Sequence, residues 1–166
     1  MAVVVRSEHE GDEAAIHRLT AEAFADKPYS GGQEANVIDR LRLRGRLSLS
    51  LVALEGERLV GQVSFSPVVL TSGTVPWFGL GPVAVLPGFQ GRGFGDRLIR
   101  AGLKQISARS ALGCVLVGNP AYYRRFGFEP APENAPVNEP AEFFMLKVLG
   151  KLAPQGRFSF DAAFYG

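Results

Sequence analysis

Three glycines stand at positions 91, 93 and 95 in the stretch LPGFQGRGFGDRL (residues 86–98), directly after an apolar run and directly before a segment with helical spacing. A side chain at these positions would keep a ligand away from the backbone, and glycine removes that block at low steric cost. A strand that feeds through such a turn into a helix leaves the first amides of the helix unpaired and aimed outward, with the positive end of the helix dipole behind them. The chemistry that suits this arrangement is the holding of a phosphate. Three phosphate-binding turns compete for the stretch. A nucleotide-triphosphate P-loop needs a lysine and a hydroxyl after its last glycine, but Asp96 and Arg97 follow Gly95. A dinucleotide turn needs a third glycine and an acidic residue about 20 positions on. Leu98 stands where that glycine belongs, and no Asp or Glu occurs from Arg97 to Phe128.

What remains is Q-x-x-G-x-G, written Gln90-Gly91-Arg92-Gly93-Phe94-Gly95, and it resembles the acetyl-CoA pyrophosphate loop of the GCN5-related N-acetyltransferase (GNAT) superfamily. Upstream, GLGPVAVLPGFQ resembles the family's fourth strand. Downstream, LVGNPAYYRRFGFEP resembles its fifth strand, the short helix after it and the Gly-Phe that opens the sixth. Order and spacing agree across residues 75–130, and the first 45 residues match in pattern. The resemblance implies a mixed, largely antiparallel sheet with helices on both faces and splayed fourth and fifth strands. It also implies acetyl-CoA as acyl donor and an amine as acceptor.

Moving an acetyl group from a thioester to an amine requires holding the CoA, polarising the carbonyl, taking a proton from the amine and giving one to the departing thiolate. For the first, the amides from Gly91 to Asp96 would surround the pyrophosphate, with Gln90 and Phe94 in the same loop and Arg92 and Arg97 adding charge. For the second, the resemblance points to the backbone at Val83 and Val85, where extended pantetheine pairs with a strand edge as another strand would. Pro82, which has no N–H, suits a local distortion beside Val83, or an edge strand. For the leaving group, the resemblance assigns the general acid to the tyrosine four positions before the Gly of Gly-Phe, which is Tyr123. A phenol is protonated at neutral pH and can pass its proton to a thiolate. Tyr122 is the adjacent alternative, and neighbouring helical side chains point roughly 100° apart, so one of the two is expected to face the thioester. Asn119 suits either a bond to pantetheine or the capping of the helix that begins at Pro120. Glu34, in a segment that walls the acceptor cleft in similar proteins, is the candidate base, with water and a simple dipole role as alternatives. Tyr29, Phe65 and Trp77 are candidates for the acceptor pocket or for the core.

The elements that must position these groups follow from periodicity. A first strand is expected over 2–6, a helix over 10–24, a break at DKPYSGG and a second helix in QEANVIDRLRL that stops near Gly45. Strands are expected over 47–55 and 58–69, joined by a tight turn, and over 75–85. The glycine turn opens a helix over 92–109 whose Leu98, Ile99, Leu103 and Ile106 form a core-facing stripe. A buried strand over 113–118, a short helix over 120–126, a proline-punctuated loop over 130–140 and a strand over 142–149 complete the reading.

One domain accounts for all 166 residues, with 46% hydrophobic and 20% charged residues. A net charge of +2 is too balanced to indicate a nucleic-acid or membrane surface by itself, and neither partner is expected. Its densest basic run, Arg40, Arg42, Arg44 and Arg46, reads as a solvated helix end. The single cysteine, Cys114, is an inert small hydrophobe and fits a reducing compartment. His9 and His17 have no metal-ligand partners in sequence, so no metal is expected. The amino terminus lacks the pattern of a signal peptide and no stretch approaches a membrane span, so the cytoplasm is the expected location. Family members often pair, so a homodimer is the assembly that the resemblance allows. The rival to an enzyme is a non-catalytic acyl-CoA-binding regulatory module, which would keep the glycine turn without turnover.

Overall fold

A computed structural model describes residues 3–166. Its elements run β1 (Val3–Ser7), α1 (Glu13–Phe24), α2 (Glu34–Leu43), β2 (Leu49–Glu55), β3 (Arg58–Leu70), β4 (Trp77–Val85), α3 (Phe94–Ala108), β5 (Gly113–Val117), α4 (Pro120–Tyr123), β6 (Glu129–Pro130), β7 (Phe144–Val148) and β8 (Phe158–Ser159). Ala2, where the first strand is expected to start, lies outside the described residues. The remaining boundaries shift for local reasons. The first helix begins at Glu13 rather than residue 10 because Gly11 takes φ +99°, which a helix cannot include. Likewise α3 begins at Phe94 because Gly93 sits in the left-handed region at φ 85°, ψ 5°.

Strand order in the main sheet is β1-β2-β3-β4-β5-β7-β6, and β8 pairs with β3 away from this path. Pairing is antiparallel throughout except between β4 and β5. Alternation along β2 divides the core. Leu51 packs with Leu98 and Ile106 of α3, while the next residue, Val52, packs with Ile16 of α1 and Ile38 of α2. Helices therefore cover both faces, as the resemblance implies. The expected stripe on α3 is buried in full. Gly102 lies within that stripe because a Cβ there would overlap the ring of Phe65.

Two strand irregularities open the sheet where a site is needed. β4 and β5 pair only over Trp77–Gly79 and Gly113–Val115, so from Leu80 to Val85 one edge of β4 is free of β5. In the β3–β4 ladder Phe65 faces Leu80 and Val63 faces Val83, so Gly81 and Pro82 together face Ser64. This bulge stands next to Val83, where the proline suggested one.

The arginine run departs from a solvated helix end. Arg42 donates to Glu8 at 2.8 and 3.2 Å, Arg44 donates to Asp161 at 2.8 Å, and Arg40 donates to the Ala163 carbonyl at 2.8 Å. These bonds tie α2 to the end of β1 and to the carboxy-terminal segment, for which periodicity suggested no element. That segment adds β8 to β3 at Val69 and Leu70 and ends in a 3-10 turn at Ala162–Tyr165. The 130–140 loop is ordered through Asn134, which donates to the Gly156 carbonyl at 2.8 Å, and through Arg157, which donates to the Ala135 carbonyl at 2.7 Å.

Candidate active site

A cleft of about 580 Å³ runs from the glycine turn along the free edge of β4 to the two tyrosines of α4. At its head, Gly91 and Gly93 take φ +76° and +85°, a conformation that costs an L-residue about 1–2 kcal/mol. A Cβ built on either would meet nothing within 4 Å, so open space lies in front of the backbone. The Arg97 amide makes the first helical bond, to the Gly93 carbonyl at 3.1 Å, and the amides of Gly91 to Asp96 have no acceptor among the described residues. The 15-residue helix α3 adds the positive end of its dipole. Phe94 is buried and anchors the turn in the core, while the Gln90 side chain donates to the Val85 carbonyl at 2.9 Å and ties the turn back to β4.

The cations are arranged differently from expectation. Arg92 lies against Phe89 and Phe94 and pairs with Glu55 at 2.7 Å, and it does not line the cleft. Arg97 reaches toward the Val3 carbonyl at 3.4 Å. The positive side chains that do line the cleft are Lys27, between α1 and α2, and Arg125, after α4. Neither is marked by a motif, and only the fold brings them beside the turn.

Both tyrosines line the cleft, with ring centroids 5.0 Å apart and the rings edge to face. Their hydroxyls have different surroundings. Tyr122 donates to Asp96 Oδ1 at 2.8 Å; burial, then this carboxylate, raise its pKa. The Arg125 guanidinium lies over the Tyr122 ring at 4.5 Å and reaches Asp96 at 3.5 Å. Tyr123 packs against Phe126 and Phe128, and its hydroxyl has no partner among the described residues. Burial, followed by the neighbouring Tyr29 hydroxyl, pushes its pKa up to about 12. Gly118, at the end of β5, gives this ring its place, since a Cβ there would overlap it. No motif singles out Gly118.

Val83 and Val85 line the cleft at the free edge of β4. Asn119 accepts from the Ala121 amide at 3.0 Å and so caps α4, the structural one of its two expected roles. Glu34 opens α2 and accepts from the Ser30 hydroxyl at 2.7 and 2.8 Å, outside the cleft lining. Phe65 and Trp77 belong to the core, whereas Tyr29 is 76% exposed and lines the cleft. Cys114 is fully buried, which raises its pKa and keeps the thiol protonated. Among the described residues no His, Cys, Asp and Glu cluster is fit to hold a metal, and no helix is long and apolar enough to cross a membrane.

The family model for the acetyltransferase (GNAT) domain matches residues 4–131. The chain is 35% identical over 111 residues to YhbS of Escherichia coli K12, named as an uncharacterized N-acetyltransferase, and the match spans 66% of each protein. Among solved structures, a GNAT family acetyltransferase from Brucella melitensis in complex with acetyl-CoA superposes with a TM-score of 0.88 at 41% identity, covering 98% of both chains. The E. coli YhbS structure in complex with CoA gives a TM-score of 0.89 at 27% identity, covering 99% of this chain and 92% of the other. A phosphate-type glycine turn, a β4 edge left free where its pairing with β5 ends and a phenol at the far end of the same cleft stand beside a family model that covers most of the chain, and the chain belongs to the GNAT acetyltransferase family.

Proposed function

We propose that this protein is an N-acetyltransferase that moves an acetyl group from acetyl-CoA to an amine of a small molecule or peptide. The observation that carries the reading is the continuity of one cleft, with six amides at one end and a tyrosine hydroxyl at the other that have no partner among the described residues. The complexes of the Brucella and E. coli relatives with acetyl-CoA and CoA support it.

In this reading the amides of Gly91 to Asp96 hold the pyrophosphate, and Gln90 and Phe94 keep the turn in shape. Backbone groups at Val83 and Val85 take up the pantetheine amides and orient the thioester carbonyl. The amine nitrogen attacks the carbonyl carbon, the C–S bond breaks, and Tyr123 gives its proton to the departing sulfur. Asn119 holds α4 at its cap and so sets where Tyr123 points. The amine's proton goes to water, a choice favoured by the bond of Glu34 to Ser30 outside the cleft. A cytoplasmic location goes with this reading, since the sequence's single cysteine fits a reducing compartment.

The test is continuous thiol detection with acetyl-CoA and a mixed panel of primary amines. Steady release above the acceptor-free rate is the expected result. Stabilisation of the protein by CoA with no release across small amines, amino acids, polyamines and peptides would replace the enzyme by a binding module.

A further inference from the structure

The charge at the glycine turn has an unexpected source. Acetyl-CoA carries a pyrophosphate, yet the turn's own arginine is committed to Glu55 and Arg125 is shared between Asp96 and the Tyr122 ring. Lys27 is different. It lines the same cleft, it meets no carboxylate among the described residues, and its Nζ makes one long bond, 3.4 Å to Gln90 Oε1 in the glycine turn itself. An ammonium held only by a neutral amide at that distance exchanges readily for a phosphate oxygen.

The segment that carries Lys27 joins α1 to α2 and is bonded mainly to itself. The Lys27 amide donates to the Phe24 carbonyl at 3.1 Å and the Ser30 amide to the Lys27 carbonyl at 3.0 Å. The Ser30 hydroxyl accepts from the Gly32 amide at 2.9 Å and donates to Glu34 at the start of α2. Among the described residues, the Lys27–Gln90 bond is the side-chain hydrogen bond that ties this segment to the body across the cleft. Two residues on, Tyr29 lines the cleft beside Tyr123.

Resting on the acetyl-CoA reading above, we propose that Lys27 is a ligand of the cosubstrate's pyrophosphate and that this contact draws the 25–33 segment onto the bound donor. Donor binding then fastens this segment, and with it Tyr29, where it lies next to Tyr123 in the wall facing the incoming amine. The charge lies on a half-buried side chain reached from a neighbouring element, so its effect is moderate beside that of the six amides.

Calorimetry with CoA, 3′-dephospho-CoA and pantetheine tests the assignment on Lys27→Met and Lys27→Arg. Lys27→Met should weaken CoA and 3′-dephospho-CoA alike by about tenfold, ~1.4 kcal/mol, whereas Lys27→Arg should keep most of the affinity. Pantetheine, which lacks phosphate, should show no such difference. An unchanged CoA affinity in Lys27→Met overturns the proposal, and so does a loss seen with CoA but absent with 3′-dephospho-CoA, which would move the lysine to the 3′-phosphate. Hydrogen exchange over residues 25–33 reads the closure: CoA should protect these amides in the wild type and fail to do so in Lys27→Met. Equal protection in the two proteins refutes the closure. Failure of the wild type to bind CoA at all would instead refute the acetyl-CoA reading, a result distinct from every outcome on Lys27.

Discussion

Tyr122 and Tyr123 should fail in different ways when each loses its hydroxyl. Tyr123→Phe removes an oxygen that has no partner among the described residues and keeps the ring between Phe126 and Phe128. No polar group is orphaned, so stability should move by no more than about 0.5 kcal/mol, or ~1–2 °C in Tm for a chain of this size. If that oxygen protonates the thiolate, kcat falls by roughly 10²-fold while CoA affinity stays near the wild-type value. Tyr122→Phe removes the donor that Asp96 receives at 2.8 Å. A hydrogen bond to a carboxylate in a partly open site is worth about 1.5 kcal/mol, so Tm should drop by ~3–6 °C, and the freed Asp96 charge beside the glycine turn should weaken CoA binding. The pH profile separates the two further. Burial pushes the Tyr123 pKa up to about 12, so the phenol keeps its proton and wild-type kcat should not decline at pH 10, where a free phenol is half ionised. Steady-state kinetics, calorimetry with CoA and thermal melts on both variants make the assay. A Tyr123→Phe enzyme with wild-type kcat, or a Tyr122→Phe enzyme that loses kcat with CoA affinity intact, would refute the assignment of the acid.

Three further outcomes follow from particular contacts. Gly93→Ala places a Cβ on a residue at φ +85°, so it should cost about 1–2 kcal/mol of stability and also weaken CoA binding measured by calorimetry, because the open space before that amide is where a phosphate would sit. Glu34→Gln should change turnover by less than about tenfold, against the 10²–10⁴ of a working general base; kcat/KM for the acceptor should still rise with pH through the amine's own pKa, and a larger loss in kcat would make Glu34 the base. Burial favours the neutral form of Asp161, but its bonds from Arg44 and the Ala163 amide outweigh that and hold the carboxyl below the usual value. Its contribution is therefore present at neutral pH and lost as pH falls below about 4, so the Tm gap between wild type and Asp161→Asn should be wide at pH 7 and narrow at pH 3.

Much of the site was legible because its physics is local. Positive φ at Gly91 and Gly93, unpaired amides at a helix start and a capping Asn before Pro120 all depend on residues within a few positions of one another. The stripe on α3 and the strands β2 to β5 were legible for the same reason, since their periods are written into consecutive residues. The carboxy-terminal segment was not. β8 is two residues long and gains its partner from β3, nearly 90 positions earlier, and Asp161 is held by Arg44, just past the end of α2. The same limit turned the arginine run from a solvated helix end into a set of tethers.

From sequence alone the phosphate-type turn, the family and the tyrosine pair could be named, because a turn's backbone freedom and a motif's spacing do not depend on what packs beside them. Which tyrosine carries a free hydroxyl, which cations reach the cleft and whether Glu34 borders it were decided by tertiary structure. Each is a distance between segments far apart in the chain: Asp96 to Tyr122, Lys27 to Gln90, Arg92 to Glu55. Such distances are set by how a twisted sheet brings α1, α3 and α4 to the open end of β4, where the pairing with β5 stops.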